Sequence, residues 1–183
     1  MHTDEMWQLY KPNGEPIVGE GWPSYKDNPV DETQIVGAAI VFIYRKNQEG
    51  QLEFLWQKRS DKVSSYPGKF DFSAGGHINL GESLIEAALR EAHEEIGAKI
   101  MADDLMLLTM VEYGKNRFGW VYLVDFTGKP EEFEFDDGEV SEIRWVPYAG
   151  MDVFRKKYAK KSIVKDEVTF TALDEWLRAR ELV

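Results

Sequence analysis

The sequence predicts a single α/β domain, and three observations carry that reading. Segments dense in β-branched and aromatic residues recur from the N-terminus to about residue 146, one central stretch switches to a spacing of about 3.6 residues, and a second helical stretch closes the chain. A length of 183 residues suits one domain. A hydrophobic content of 43%, with 13% aromatic, supplies a buried core.

In chain order, residues 1–32 read as a small hairpin and a loop ahead of a main domain at 33–183. Apolar runs at Met6 to Tyr10 and Pro16 to Val18 flank the turn formers Pro12-Asn13-Gly14, and Gly19 to Gly21, Pro23 and Asn28-Pro29 follow. Ile35 to Arg45 and Leu52 to Lys58 read as strands, and the polar turn Lys46 to Gly50 predicts that they pair as a hairpin. After a loop from Ser60 to Lys69, a short strand is expected around Phe70 to Ser73, with Gly75-Gly76 as a break. Between Glu82 and Ile96, the residues Ile85, Leu89, Ala92 and Ile96 recur at spacings of four, three and four. That is one stripe of a helix, and Gly97 suits its C-cap. Further strands are expected at Leu105 to Tyr113, at Trp120 to Phe126 after the turn former Gly119, and at Ile143 to Val146. In the acidic run Glu131 to Glu139, Phe133 and Phe135 alternate with Glu132 and Glu134, which reads as a solvated edge. A last helix puts Phe170, Leu173 and Leu177 on one face, with Thr169 as its N-cap.

The charge balance excludes several classes. Lys and Arg number 22 against 33 Asp and Glu, a net −11 whose field repels a bare phosphate backbone or an anionic membrane. The absence of cysteine removes disulfides, thiolate metal sites and every cysteine nucleophile. Met1 to Met6 has no basic segment followed by an apolar core, and the longest apolar stretch, Ile35 to Tyr44, is about half the roughly 20 residues of a membrane-spanning helix. A cytoplasmic protein is expected, with a small-molecule partner.

The chemistry concentrates in Gly76-His77-Ile78-Asn79-Leu80-Gly81-Glu82 and, seven residues on, Arg90-Glu91-Ala92-His93-Glu94-Glu95-Ile96-Gly97-Ala98. On a helix, Glu94 and Glu95 lie within roughly 60° of Glu91, so one face is expected to pack and the other to gather three carboxylates. Like charges at these spacings weaken a helix by a few tenths of a kcal/mol per pair. A hard divalent cation such as Mg²⁺ or Mn²⁺ reverses that sign, since it takes oxygen ligands and substrate phosphates. Arg90 fits as the partner that steers a carboxylate. A solvated helix face made of Glu82, Glu86, Glu91, Glu94 and Glu95 is the plainer alternative. The fixed offsets of the Gly-Gly pair, Gly81-Glu82, Arg90-Glu91 and Gly97 weigh against it.

This segment resembles the Nudix box, G-x5-E-x7-R-E-U-x-E-E-x-G-U with U a bulky aliphatic residue. Gly76, Glu82, Arg90, Glu91, Glu94, Glu95 and Gly97 match it, and Ala92 and Ala98 depart from it at packing positions. The box spans 23 residues, Gly76 to Ala98. Outside it, the approach Tyr66 to His77 and the segment Glu139 to Val146 resemble the Nudix subgroup related to isopentenyl-diphosphate isomerase. The resemblance implies an α/β/α sandwich around a mixed sheet and Mg²⁺-dependent hydrolysis of a nucleoside diphosphate linked to another moiety. By position it implies metal ligation by Glu91, Glu94, Glu95 and the Gly75 carbonyl, with Glu82 supporting the water network. A downstream loop glutamate often serves as base in the family; Glu139 is the candidate and Glu142 its rival.

Lys58 and Arg59, at the end of the second strand of the main domain, are candidate phosphate contacts, and His77 is a candidate substrate contact; His93 is left out of the metal set. Trp22, Tyr25, Trp56, Phe70 and Trp120 offer rings that stack on a base, with core packing the weightier reading for each. The isomerase reaction itself fails on chemistry, since that enzyme is understood to need a cysteine and this chain has none. A nucleotide-sensing module without hydrolysis stays open as the alternative, and the aromatic N-terminal hairpin is a candidate homodimer surface.

Overall fold

The computed structural model describes residues 5–23, 33–129, 133–135 and 138–183. The N-terminal hairpin forms as strands β1 (Met6–Tyr10) and β2 (Pro16–Pro23). The glycines expected to end its second strand lie within it, through a register shift opposite Gln8 to Tyr10 and a Gly19 φ of +75°. Tyr25, Asn28 and Pro29 lie outside the described residues.

Strands β3 (Ile35–Lys46) and β4 (Leu52–Arg59) pair antiparallel as the predicted hairpin. The short strands β5 (Phe70–Asp71) and β6 (Ala74–His77) follow, pairing with β4 and β3 respectively. Gly75 and Gly76 are thus strand residues and not a break. Strands β7 (Met106–Gly114), β8 (Arg117–Asp125) and β9 (Val140–Pro147) complete one mixed sheet. β8 starts before Gly119, so that glycine is no turn; a Cβ there would press on Ile40 Cδ1 at 2.5 Å. β8 runs parallel to β3 over Val36 to Tyr44, and β9 lies antiparallel to β4.

Strand β3 is buried on both faces, which is why its sequence is apolar at nearly every position. Ala39, Val41 and Ile43 face helix α1 (Leu84–Ile96), while Phe42 and Tyr44 face the other side. There they pack with residues of α2 (Tyr148–Tyr158), α3 (Lys161–Val164) and α4 (Glu167–Ala179). The result is the expected sandwich. Trp56 and Phe70 are buried in the α4-side cluster and Trp120 in the α1-side cluster, while Trp22 packs with Leu9 and Val36 under the hairpin. α2 and α3 have no counterpart in the sequence reading.

Helix α1 starts two residues later than predicted because Ser83 caps it. The Ser83 side chain accepts from the Glu86 N–H and the Glu86 side chain from the Ser83 N–H, a reciprocal pair that stops the helix from extending backwards. Gly97 ends it at φ +64°, and a Cβ there would also meet Glu134 backbone at 2.7 Å. In α4 the cap is Asp166, which accepts from the Thr169 N–H; Thr169 itself is a buried helix residue. Of the acidic run, Phe133 and Phe135 pack against the α1-side core, so their alternation reports burial of the rings, while residues 130–132 and 136–137 lie outside the described set. Among the described residues no helix is long and apolar enough to cross a membrane.

Candidate active site

The site forms where α1 crosses β6. The buried arc of α1 is Ala87, Ala88, Ala92, Glu95 and Ile96, with Ile85 and Leu89 at its borders. Alanines at the centre let the helix lie close to the sheet, and this carries Glu95 inward. The carboxylates therefore do not share one solvated face. Glu95 is 4% exposed, whereas the Glu94 side chain is 55% exposed. Glu91 lies between them, its carboxylate pressed on Gly76, where a Cβ would sit 2.3 Å from Oε1. Gly76 is needed for that close approach.

Arg90 organises the cluster. Its Nε and Nη2 donate to the two oxygens of Glu82 at 2.8 and 3.0 Å, and its Nη1 donates to Glu91 at 2.7 Å and Glu94 at 3.0 Å. Nη2 also donates to the His77 carbonyl at 2.9 Å, pinning the guanidinium to β6. Burial disfavours the charge of Arg90, but the hydrogen bonds to Glu82 and the charge of Glu91 outweigh it and hold its pKa above the ordinary value. Glu82, just ahead of the helix, accepts from the Asn79 N–H at 2.9 Å.

Glu95 takes different partners. Its Oε2 accepts from the Gly75 N–H at 2.7 Å and from Gln57 Nε2 at 2.9 Å. The N–H and C=O of a strand residue point to the same edge. The Gly75 N–H points to Glu95 and away from β3, so the Gly75 carbonyl also points to the open edge of β6. Burial pushes the Glu95 carboxyl well up, and the charges of Glu91 and Asp71 add to it. Burial likewise pushes Glu91 up to about 7 against the opposing pull of Arg90, with Glu94 and Glu139 adding to the rise.

The remaining candidates divide. Glu139 heads towards β9, its carbonyl accepts from the Ser60 N–H at 2.7 Å, and its charge reaches Glu91. Glu142 instead bonds Arg144 and lies 3.9 Å from Lys58. Arg59 Nε donates to the Ser65 carbonyl at 2.8 Å. The His77 ring lies on the sheet face opposite α1, stacked on Trp7 with centroids 3.6 Å apart. Its Nε2 is buried without a partner among the described residues, and burial, with the charges of Arg117 and Lys160, lowers its pKa to about 4. His93 is exposed on the last turn of α1.

Gln57 and Asp71 reach the site without having been singled out in the sequence. Gln57, 1% exposed, follows the apolar Phe54-Leu55-Trp56 of β4, and an amide continuing that apolar run is the sequence signal that could have found it.

The chemistry of the donor set fits a hard divalent cation. Glu82, Glu91 and Glu94 crowd around a single arginine, the buried Glu95 sits beside Glu91 without one, and all of the donors are oxygens. Among the described residues no three acidic or imidazole groups converge as a ready cage. Arg90 holds Glu91 and Glu94 instead, in the manner of a counter-ion.

Comparison with known proteins agrees with this geometry. Nudix hydrolase 3 of Arabidopsis thaliana is 34% identical over 107 residues, 52% of this chain and 14% of that protein. The chloroplastic Nudix hydrolase 24 of the same plant is 34% identical over 136 residues, 69% of this chain and 36% of the relative. The chain thus spans well under half the length of these two relatives. A Deinococcus radiodurans protein of known structure shares the fold, with a TM-score of 0.69 at 22% identity over 92% of this chain and 99% of that one. The family model described as NUDIX domain matches residues 34–167, the span from β3 through the box helix to the start of α4, and the chain belongs to the Nudix family.

Proposed function

We propose that this chain hydrolyses a phosphoanhydride bond in a nucleoside diphosphate derivative, using Mg²⁺ or Mn²⁺ held by Glu91, Glu94, Glu95 and the Gly75 carbonyl. The observation that carries the reading is the surplus of buried carboxylate around Arg90, with Glu95 lacking any cationic partner among its hydrogen bonds. When bound, the cation neutralises charge on the diphosphate and lowers the pKa of a water. Arg90 and Glu82 hold the helix carboxylates in place, and Gln57 with the Gly75 N–H fixes Glu95. Glu139 takes the proton of the attacking water, whose oxygen bonds to phosphorus as the bridging P–O bond breaks and two phosphate products form. Lys58 and Arg59 contact phosphate, while the His77 ring, stacked on Trp7 on the far face of the sheet, is withdrawn from the substrate.

Within the family, Tyr66 to His77 and Glu139 to Val146 support a place in the subgroup resembling isopentenyl-diphosphate isomerase, with residues 1–32 as an appended hairpin and loop and 33–183 as the catalytic domain. The test is release of phosphate or nucleoside monophosphate from a panel of nucleoside triphosphates, nucleotide sugars, dinucleotides and coenzyme A, with and without Mg²⁺. Metal-dependent release is expected for at least one class. Binding without release would make the chain a sensor instead.

A further inference from the structure

A cavity of about 530 Å³ opens between the ends of β3 and β8, the start of β7 and the C-terminal end of α4. Its size falls within the range of small-molecule sites. It is separate from the carboxylates. Tyr44, on its wall, stands four residues beyond Ile40, the partner of Gly75, which is roughly 13 Å along a strand. The Tyr44 ring also lies on the α4 face of the sheet, not on the α1 face.

The walls are aromatic and the floor is apolar. Tyr44 and Trp176 meet edge to face with centroids 5.6 Å apart, above Met106, Leu123 and Leu182. The two acids at the rim are already engaged. Asp104 pairs with Lys129 at 2.6 Å and accepts from the Met101 N–H, while Asp125 accepts from the Thr127 N–H at 2.8 Å and from the Tyr44 hydroxyl. The cations are not. Arg180 lies over the Trp176 ring at 4.4 Å, and neither it nor Lys46 has a carboxylate partner among the described residues. A guanidinium over an indole keeps its in-plane N–H edge directed outward, and that edge matches the oxygens of a phosphate.

We propose that this cavity is a second binding site, for a planar ring that carries a phosphate, of the nucleoside 5′-monophosphate class. The ring lies against the Arg180–Trp176 stack and the apolar floor, and the phosphate bridges Lys46 and Arg180. Stacking and charge are each needed, so neither half of such a ligand binds well alone.

The probe is AMP, titrated into metal-free protein and read by calorimetry and tryptophan fluorescence. Saturable binding with quenching is expected, with adenosine and inorganic phosphate each at least about tenfold weaker. Lys46→Glu and Arg180→Glu, both at exposed positions, should each weaken AMP by about tenfold or more while leaving the thermal midpoint near that of the wild type. Trp176→Phe should remove most of the quench, and Glu95→Gln should leave AMP affinity unchanged. AMP binding that survives the Lys46→Glu, Arg180→Glu double variant, or that Glu95→Gln abolishes, overturns the assignment. So does the lack of saturable binding up to about 5 mM, or adenosine binding as tightly as AMP.

Discussion

Arg90 and Arg155 each tie together acidic side chains from more than one element, but with opposite charge balance. The Arg155 side chain is 4% exposed and bonds Asp152 at 2.9 Å and Glu167 at 3.0 Å, and it also reaches the carbonyls of Ile163 and Val164. Both of its carboxylates are more than half exposed, and Asp152 has Lys156 as a second partner. The guanidinium also lies over Phe170 at 4.3 Å. That cluster joins α2, α3 and α4 and leaves little charge buried and unmatched. Around Arg90 one guanidinium faces Glu82, Glu91 and Glu94, and the buried Glu95 beside them has none. A balanced cluster is compatible with a purely structural role. An unbalanced one opposes folding, because buried like charges repel, and such local conflicts mark functional sites.

The sharpest way to break the contrast is to neutralise the surplus. Glu95→Gln and Glu94→Gln should each lower kcat by at least about 10³-fold, or roughly 4 kcal/mol in the barrier, while the fold persists. Glu95→Gln should also raise the thermal midpoint of the metal-free protein at pH 8. Arg155→Met should do the reverse, lowering stability by about 2–3 kcal/mol with kcat unchanged. Next in size is the base. Glu139→Gln should lower kcat by about 10²–10⁴-fold with little change in KM and should remove the acidic limb of the pH–rate profile. Glu142, bound to Arg144 and near Lys58, should tolerate the same change. Full rate in Glu139→Gln with loss in Glu142→Gln would reverse the assignment.

Smaller effects test geometry and not charge. Arg90→Lys keeps the cation but loses the fork that serves Glu82, Glu91 and Glu94 together, so activity should fall by about 10–100-fold. Gln57→Leu removes one of the two donors to Glu95 Oε2, leaving the Gly75 N–H alone to fix it, and should weaken Mn²⁺ binding, read by electron paramagnetic resonance, by about tenfold.

How much of this was legible depended on sequence distance. The box helix showed itself through its 3.6-residue stripe and Gly97, both local signals. Helix α2 did not, because its buried residues are Met151, Phe154 and Arg155, and an arginine does not extend an apolar stripe. The ligand candidates could be read from spacing, yet the burial of Glu95 could not, since it follows from alanines that bring α1 close to β6. Gly75-Gly76 looked like a break because the reason for glycine there, the Glu91 carboxylate, sits 15 residues later than Gly76. Gln57 touches Glu95 only through the folding of the sheet, 38 residues apart.

The finest test of the contrast is the pH dependence of stability without metal. Burial raises Glu91 from 4.5 to about 7, and Glu95 well above 4.5. Between those values the folded chain binds more protons than the unfolded one, so stability is full at and below about pH 4.5 and declines as pH rises through 7. The Arg155 cluster has the opposite sign. Asp152 is held below 3.8, by Lys156 first and then Arg155, so what it contributes is present above that pH and is lost only as acid titrates the folded group. In EDTA, the thermal midpoint should therefore fall between pH 5 and pH 8, and the Glu91→Gln, Glu95→Gln double variant should flatten that fall. Asp152→Asn should leave the slope between pH 5 and pH 8 intact, offsetting the curve there by a constant amount and changing its shape only below about pH 4. Excess Mg²⁺ should restore the midpoint at pH 8, where the carboxylates are most ionised, and barely move it at pH 5. A wild-type midpoint that is level across this range in EDTA would mean that the buried glutamates find counter-charge other than a metal, and the distinction between the two arginine clusters would fail with it.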